Sequence, residues 1–415
     1  MVIFLLILHA TIILYEWSKR SIALFLWAML FVVFTFPHLM YLSLRIYPEH
    51  VMERVNLFVI LFMLVYLVLR FLYFYKIPSV SKLKDFSDLK NEPEGLMNFI
   101  FLIEIVSMAV VLFYMHRRGG TILTAVAYGD YEVGIVEQIA MVTFISLSGI
   151  GFVYLMRKEY VKFIVIAVCY AMYLIITQIR YNMVGFVAPF LIFFIFSTDR
   201  KRIALGVGMG FMVIFFVYLF QQLRWLGGIG NLSKVGFETV VDRAMGYFRQ
   251  GNGEIGLVRA FYYFVRHNNH FPNFGQGNGF VRLALILFPA SVFAFKPRDF
   301  AIDMYKEWFG KDDPMGTMHP TLFGDAFGNF GYAGWITGIF YAGLFMLLDE
   351  MINHEDCKTV SVLKASLCCT MAILIGRGAI YNAIINFLFG LAVIYMVKKI
   401  YFYWCGRKKR HGSFA

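Results

Sequence analysis

A histidine, a carboxylate and an amide follow one another in one short stretch, at His319, Asp325 and Asn329. Pro320 and Thr321 come directly after the histidine. A helix that begins near Thr321 would place Asp325 and Asn329 on one face, because side chains at positions i and i+4 stack. A histidine and a carboxylate together are suited to removing a proton from a hydroxyl group. The simpler alternatives are a histidine held by backbone groups at the start of a helix and an aspartate paired with a nearby arginine.

Arginine is the second residue type that suggests chemistry. Arg180 and Arg377 each occupy a short turn between two apolar blocks. Because a planar guanidinium matches the oxygens of a phosphate and keeps its charge at any relevant pH, a diphosphate is the natural ligand for such a set. The alternative is that these side chains reach lipid head groups or pair with acids such as Glu254. Further candidates for diphosphate binding lie in the long insert between the apolar blocks: Arg224, Arg243, Arg249, Arg259 and Arg266.

Metal and nucleic-acid chemistry have little support in the sequence. His267 and His270 have a spacing that suits metal ligands, but no third ligand is fixed by spacing. The five cysteines all lie outside the insert, which argues against a cysteine-based metal site there. The net charge of +12 comes from basic residues at the ends of apolar blocks and not from a basic domain. We therefore expect no metal, no other cofactor and no nucleic-acid partner.

The composition decides which class of protein carries these residues. Hydrophobic residues make up 60% of the chain and charged residues 15%, with a mean hydropathy of +0.69. A soluble globular chain does not need so many apolar residues, so we expect an all-α polytopic membrane protein. Glu104 lies deep in one apolar block and must face a partner or a cavity, either to hold the bundle together or to mark a proton path. Apolar blocks of suitable length predict about eleven transmembrane helices, at residues 1–15, 21–43, 55–75, 96–115, 135–156, 161–178, 182–198, 203–222, 332–348, 360–376 and 380–398.

The basic residues also orient the chain. They cluster in every second connection between blocks, which the positive-inside rule places in the cytoplasm, so the N-terminus lies outside. The basic C-terminal tail then reaches the cytoplasm only if the block 281–295 does not span. Pro289 interrupts that block, and Arg282, Lys296 and Arg298 flank it. We expect a re-entrant or interfacial hairpin there, with a further span as the alternative. The predicted regions are a bundle of eight transmembrane helices at 1–222, an external loop region at 223–331, C-terminal transmembrane helices at 332–400 and a basic cytoplasmic tail at 401–415.

Together these features resemble the Wzy-type polymerases of O-antigen and capsule repeat units. The resemblance rests on the layout of the spans, on Arg180 in a short external turn and on the run from His319 to Gly331. It implies the GT-C-like architecture of polymerases and ligases, in the inner membrane of a bacterium with the active site facing the periplasm. Arg266 and Gly277 are separated by ten residues, a spacing found in some polysaccharide polymerases, although a glycine-rich segment readily supplies it by chance.

The resemblance also implies a reaction. Oligosaccharide repeat units carried on undecaprenyl diphosphate would be joined at the outer face of the membrane, with His319 as the base and Asp325 orienting or replacing it. Arg180 and one or more insert arginines would hold the diphosphate in place of a metal. A chain-length regulator and a flippase would be protein partners. O-antigen ligases share this layout, and a flippase or other transporter is the alternative from another class.

Overall fold

The computed structural model describes residues 1–76, 89, 92–118, 134–177, 182–227, 229–268, 276–286, 288, 292–310 and 317–411. These residues form helices joined by turns and contain no β-strand. A bilayer offers no water to backbone N–H and C=O groups, so an apolar chain satisfies these groups within its own helices. The prediction of an all-helical chain with many helices of membrane-spanning length is confirmed.

The helices before the insert are mostly long and apolar. They are α1 (Val2–Lys19), α2 (Ala23–Leu30), α3 (Phe36–Ser43), α4 (Glu49–Lys76), α5 (Glu94–Arg117), α6 (Ile135–Leu147), α7 (Ile150–Met156), α8 (Tyr160–Thr177), α9 (Met183–Ile195) and α10 (Arg200–Trp225). A π-helical turn at Phe31–Thr35 joins α2 to α3, so the two form one continuous span. Such a turn inside an α-helix often marks a functional region.

The insert and the C-terminal part are helical as well. The insert contains α11 (Leu232–Val235), α12 (Phe237–Arg249), α13 (Val258–Arg266), α14 (Asn278–Ala284) and α15 (Phe300–Phe309). The C-terminal helices are α16 (Thr321–Phe330), α17 (Gly338–Asn353), α18 (Lys358–Gly376) and α19 (Ile380–His411). A 3-10 segment at Gly331–Thr337 joins α16 to α17. The predicted block 332–348 therefore begins earlier than expected, in a continuous helical stretch over Thr321–Asn353.

One of the about eleven predicted spans is shorter in the structure than the others. Within the part of the chain that the structure describes, ten helices are long and apolar enough to cross a membrane. The block 182–198 supplies only α9, a helix of 13 residues with Pro189 inside it. At 1.5 Å per residue, α9 is about 20 Å long, against about 30 Å for the hydrocarbon core. The block 281–295 does not contribute a long helix either, since α14 ends at Ala284. Which side of the membrane that block occupies stays a prediction.

The predicted loop region 223–331 contains a helix that packs against the long helices. Helix α13 is strongly amphipathic and buries its apolar face, including Phe261 and Tyr262, against α4 and α16. The ring of Phe261 contacts the rings of Phe58 and Phe327, with centroids 5.7 Å away in each case. Burial of aromatic rings of this size is a large apolar gain. This part of the insert is therefore packed against the long helices and can position residues rigidly.

The chain divides into two compact units that cut across the predicted regions. Unit one comprises Met1–Ser81, Tyr247–Glu350 and Met371–Ile385. Its core holds an ion network in which the buried Arg70 donates to Glu16 at 2.8 Å and to Asp349 at 2.7 Å. A charge this deeply buried is tolerable only when it is paired in this way. The sequence analysis did not identify this network, because its members are far apart along the chain.

Unit two comprises Lys82–Gly246, Met351–Thr370 and Asn386–Ala415. Its core contains an aromatic group in which Phe144 contacts Tyr170 and Tyr173, with ring centroids 5.8 and 5.1 Å apart. The carboxylate of Glu92 accepts from the backbone N–H of Lys358 and Thr359 and so caps the start of α18. An acidic cap at a helix N-terminus is favoured by the free N–H groups and the helix dipole.

Candidate functional site

The His319 stretch and the Arg377 turn, identified separately in the sequence, lie against each other in unit one. The backbone N–H of Thr321 donates to the carbonyl of Arg377 at 3.1 Å. Gly378 follows with a φ of 87°, and a Cβ at this position would lie only 2.7 Å from the Thr321 carbonyl oxygen. Only glycine fits such a close approach in this backbone conformation. The turn between α18 and α19 is therefore shaped to receive the start of α16.

Backbone strain marks the same contact. Thr321 is fully buried and has a φ of 68°, in the left-handed region that a β-branched residue rarely adopts. The hydrogen bond to the Arg377 carbonyl holds it there, and the preceding Met318 N–H donates to the Ala301 carbonyl at 2.9 Å. Strain of this kind costs about 1–3 kcal/mol and is concentrated at functional sites. The His319-Pro320-Thr321 segment is thus fixed at both ends.

The Arg377 side chain pairs with Glu254. Its Nε donates to Oε2 at 2.7 Å, and the two side chains are 17% and 11% exposed. Glu254 lies on the 3-10 segment Gly253–Leu257, which packs against the π-helical turn at Phe31–Thr35. The sequence analysis named Glu254 only as a nearby acid. Arg377 therefore pairs with a local acid, as the alternative interpretation of the arginines predicts.

His319 lies close to this ion pair. Its Nδ1 is buried and has no hydrogen-bond partner among the described residues. Burial, followed by the positive charge of Arg377, lowers the pKa of His319 from 6.5 to about 3, although Glu254 acts in the opposite direction. The imidazole is therefore neutral at physiological pH. With a pKa this low it is a weak base until a negative group offsets Arg377.

Asp325 and Asn329 share one face of α16, as the i, i+4 spacing predicts. The helix begins at Thr321, and the Asn329 side-chain amide donates to Asp325 Oδ2 at 3.3 Å and to the Asp325 carbonyl at 2.9 Å. Its own Oδ1 accepts from the Gly279 N–H at 2.7 Å, and its backbone carbonyl accepts from the Gly277 N–H at 2.8 Å. Asn329 was predicted to bind substrate. Its polar atoms hold Asp325 and the start of α14 in place, and its role in binding stays a prediction.

His319 and Asp325 have different neighbours. The charges that act on His319 are those of Arg377 and Glu254, whereas Asp325 bonds to Asn329 and lines a separate small cavity. The cavity also contains Arg282 and Asp299 in its wall, together with Tyr381 and Asn382 from the start of α19. Gly378 joins the two places, since it contacts Thr321 and also lines the cavity.

Arg282 is the functional candidate that the sequence analysis missed. It was treated only as a flank of the hairpin. In the structure its guanidinium lies 4.2 Å from the ring centroid of Tyr381, and its Nη1 donates to the Pro297 carbonyl at 2.7 Å. Its Nε is buried without a partner among the described residues. The polar pair Tyr381-Asn382 comes directly after the Arg377 turn, and it is the sequence signal that could have identified this place.

The remaining predicted arginines have varied surroundings. Arg259 donates to the Tyr41 hydroxyl at 2.7 Å and to the Gln250 carbonyl at 3.0 Å, so part of its guanidinium holds the protein together. Arg180 lies outside the described residues. The others are exposed, with Arg249 and Arg266 in unit one and Arg224 and Arg243 in unit two.

Two further candidates from the sequence, a histidine pair and Glu104, are not part of this site. His267 donates from its ring to the Tyr263 carbonyl at 2.8 Å, and His270 lies outside the described residues. Among the described residues there is no group of His, Cys, Asp or Glu that could hold a metal ion. In unit two, Glu104 is fully buried, and neither of its carboxylate oxygens has a hydrogen-bond partner within the described part of the chain.

Comparison with known proteins adds no family to this geometry. No protein-family model matches the chain, and no curated protein or solved structure matches it. The functional argument therefore depends on the arrangement of side chains.

Proposed function

We propose that this protein is a membrane glycosyltransferase that polymerises oligosaccharide repeat units carried on undecaprenyl diphosphate, at the outer face of a bacterial inner membrane. A hydroxyl of one unit attacks the anomeric carbon of the other, and a new glycosidic C–O bond forms. The bond from that carbon to the diphosphate breaks, and the diphosphate leaves with the electron pair. A protein base takes the hydroxyl proton. O-antigen or capsule would be the product.

The observation that carries the proposal is the position of His319 beside the Arg377–Glu254 pair. Burial, and then the charge of Arg377, keep the pKa of His319 low. A diphosphate that binds at Arg377 would offset this charge and raise the pKa of His319, because a nearby negative charge favours the imidazolium form. His319 would then be more basic with the donor bound than without it. Arg377 would stabilise the leaving group, which is where negative charge develops during the reaction.

The other basic residues take secondary places in this proposal. Arg180 and the exposed insert arginines remain candidates for guiding or holding the diphosphate. Arg259 is a weaker candidate, because two of its N–H groups already donate to Tyr41 and Gln250. The lipid bilayer is the surrounding solvent, and a chain-length regulator and a flippase are proposed partners.

The test combines deletion of the gene with complementation by His319→Ala, Arg377→Gln and Arg298→Gln. Surface polysaccharide is then separated on a gel. We expect the deletion and the first two variants to leave single capped units, while Arg298→Gln, an exposed arginine outside the site, restores long chains. Absence of any attached glycan would instead indicate a ligase. Normal chain lengths from both site variants at equal protein level would contradict the proposal.

A transporter of lipid-linked oligosaccharide is the second candidate function, and Glu104 is the observation in its favour. A carboxyl group buried in a span is costly, and such groups often mark proton pathways. If transport is the function, Glu104→Gln should cause lipid-linked units to accumulate on the inner face. If polymerisation is the function, Glu104→Gln should leave chain lengths unchanged at equal protein level.

A further inference from the structure

Two cations lie beside one aromatic ring at the start of α19. The guanidinium of Arg282 lies 4.2 Å from the ring centroid of Tyr381, and the ammonium of Lys296 lies 5.6 Å from the same centroid. Lys296 Nζ also donates to the Tyr381 hydroxyl at 3.4 Å. Both cations are half-buried and lie in unit one together with the ring. Because the face of an aromatic ring attracts a cation, Tyr381 holds the two charges close together.

Neither cation forms an ion pair within the described part of the chain. Arg282 Nη1 donates to the Pro297 carbonyl at 2.7 Å, and Lys296 Nζ donates to the Phe288 carbonyl at 2.8 Å. Asp299 lines the neighbouring cavity, but its carboxylate caps the start of α15 and pairs with neither cation. Two like charges held close together repel each other. An external anion would balance them.

The place of Tyr381 in the fold indicates which anion this is. Tyr381 is the second residue of α19, which is long and apolar enough to cross a membrane from Ile380 to Trp404. The ends of a crossing helix lie where the acyl chains meet the polar head groups. Tyrosine is enriched at this boundary, because its ring is apolar and its hydroxyl is polar. We therefore expect Arg282 and Lys296 to lie at the depth of the lipid phosphates.

An apolar segment between the two cations in the sequence fits the same boundary. The side chains of Phe288, Val292 and Phe295 are 45%, 70% and 69% exposed. Phe293 joins the two other rings, with its centroid 4.8 Å from that of Phe288 and 5.5 Å from that of Phe295. Exposed apolar side chains of this size are unfavourable in water and favourable among acyl chains. Apolar side chains next to basic ones are typical of segments that lie in the interface of a membrane.

We propose that Arg282, Lys296 and the Tyr381 hydroxyl bind the phosphate of a phospholipid head group. The guanidinium and the ammonium donate charge-assisted hydrogen bonds to the phosphate oxygens. The Tyr381 hydroxyl accepts from Lys296 and donates its own hydrogen to a further oxygen. The exposed side chains of Phe288 and Phe295 enter the acyl layer beside the bound lipid, which fastens this part of the insert to the membrane. The site does not depend on the proposed polymerase function, which assigns the donor diphosphate to Arg377.

Lipid binding is measured on the full chain in an uncharged detergent. Native mass spectrometry follows the binding of dioleoyl phosphatidylglycerol and of dioleoylglycerol, which has the same acyl chains but no phosphate. We expect the tightest phosphatidylglycerol site to be at least about tenfold stronger than any dioleoylglycerol site, since only the former forms charge-assisted hydrogen bonds. Arg282→Gln and Lys296→Gln should each weaken that site about fivefold, and Tyr381→Phe should weaken it about threefold by removing one hydrogen bond. The matched control Arg298→Gln, an exposed arginine of the same segment, should bind within about twofold of the parent.

The depth of the apolar segment supplies a second measurement. Val292→Cys is introduced into a variant whose five cysteines are replaced by alanine, labelled with a fluorophore and reconstituted into vesicles of phosphatidylglycerol and phosphatidylcholine. A nitroxide on the acyl chain should quench this label more than a nitroxide on the head group does. A label at Lys306→Cys, an exposed polar position on α15, should show the opposite order.

Several results would overturn the proposal. Phosphatidylglycerol binds no more tightly than dioleoylglycerol, neither Arg282→Gln nor Lys296→Gln weakens its binding, or the head-group nitroxide quenches the label at position 292 more strongly. Displacement of the bound phosphatidylglycerol by an equal concentration of undecaprenyl diphosphate would assign the two cations to the donor instead. A dimer that Val292→Asp dissociates would show that a second copy of the chain covers the segment. Size-exclusion profiles and thermal unfolding show whether each variant is folded, and either single substitution of a cation is sufficient for the test.

Discussion

The ion pair between Arg377 and Glu254 gives a quantitative test of the site. Removal of one partner from a fully buried pair costs about 3–5 kcal/mol, because the other charge is left buried and alone. These side chains are 17% and 11% exposed, so solvent screens part of that cost. We expect Arg377→Gln and Glu254→Gln each to lower the free energy of unfolding by about 1.5–3 kcal/mol. The double variant should cost less than the sum.

The measurement is a double-mutant cycle on the purified protein. Unfolding in mixed micelles is followed as the fraction of denaturing detergent rises, for the parent, the two single variants and the double variant. A coupling free energy of about 1–2 kcal/mol is expected, since the 2.7 Å contact joins two largely desolvated charges. The control is Arg202 with Asp199, a pair 3.9 Å apart with side chains 55% and 53% exposed. That pair should show less than about 0.5 kcal/mol.

The result also bears on the proposed mechanism. If the coupling at Arg377 and Glu254 is no larger than in the control pair, the two side chains do not form the contact described above. The argument that Arg377 controls the basicity of His319 would then fail as well, because it depends on a guanidinium held in place by Glu254.

Three further predictions concern the pKa of His319, the contacts of Arg259 and the topology of the chain. His319 has a pKa of about 3 in the folded protein against 6.5 when unfolded, so the unfolded state binds the proton first and stability is lost as the pH falls through 6.5. Between pH 6.5 and about 4.5 the parent should lose about 2.3 kcal/mol more than His319→Gln in the same unfolding assay. Arg259→Ala should lower thermal stability while leaving the chain length of the polysaccharide unchanged at equal protein level, because its donors hold Tyr41 and Gln250. Cysteines introduced at Asp313 and Ala415 should react with a membrane-impermeant reagent from opposite sides, and reaction from one side alone would refute the topology.

The long helices were predictable from the sequence because the bilayer imposes a simple rule. Apolar blocks of sufficient length become helices, and most predicted blocks are helices of membrane-spanning length. At α9 the rule overestimated the length of the helix, because the apolar block continued to residue 198 but the helix ends at Ile195. It also failed at the beginning of α16, because the polar residues Asp325 and Asn329 lowered the hydropathy of a segment that is helical and buried.

The site was predictable only in part. His319, Asp325 and Arg377 are unusual enough in their surroundings to be noticed individually, and the i, i+4 spacing placed Asn329 correctly beside Asp325. The partners were not predictable, since Glu254 and Arg282 reach the site through tertiary contacts between segments far apart in the chain. Spacing could not show that Arg259 and Asn329 form hydrogen bonds within the protein itself.

The predicted face of the membrane on which the site lies depends on whether the short helix α9 crosses the membrane. Basic residues precede α8 at Arg157 and Lys158 and follow α9 at Lys201 and Arg202. Both groups favour the cytoplasm, so a chain that leaves through α8 must return through α9. A helix of about 20 Å can do this if longer neighbours cover its ends, and α9 packs against α6, α7 and α10 within unit two. With α9 as a crossing, we expect α18 to run outward and its turn to α19, with Arg377 and Gly378, to lie at the external face that the proposed reaction requires.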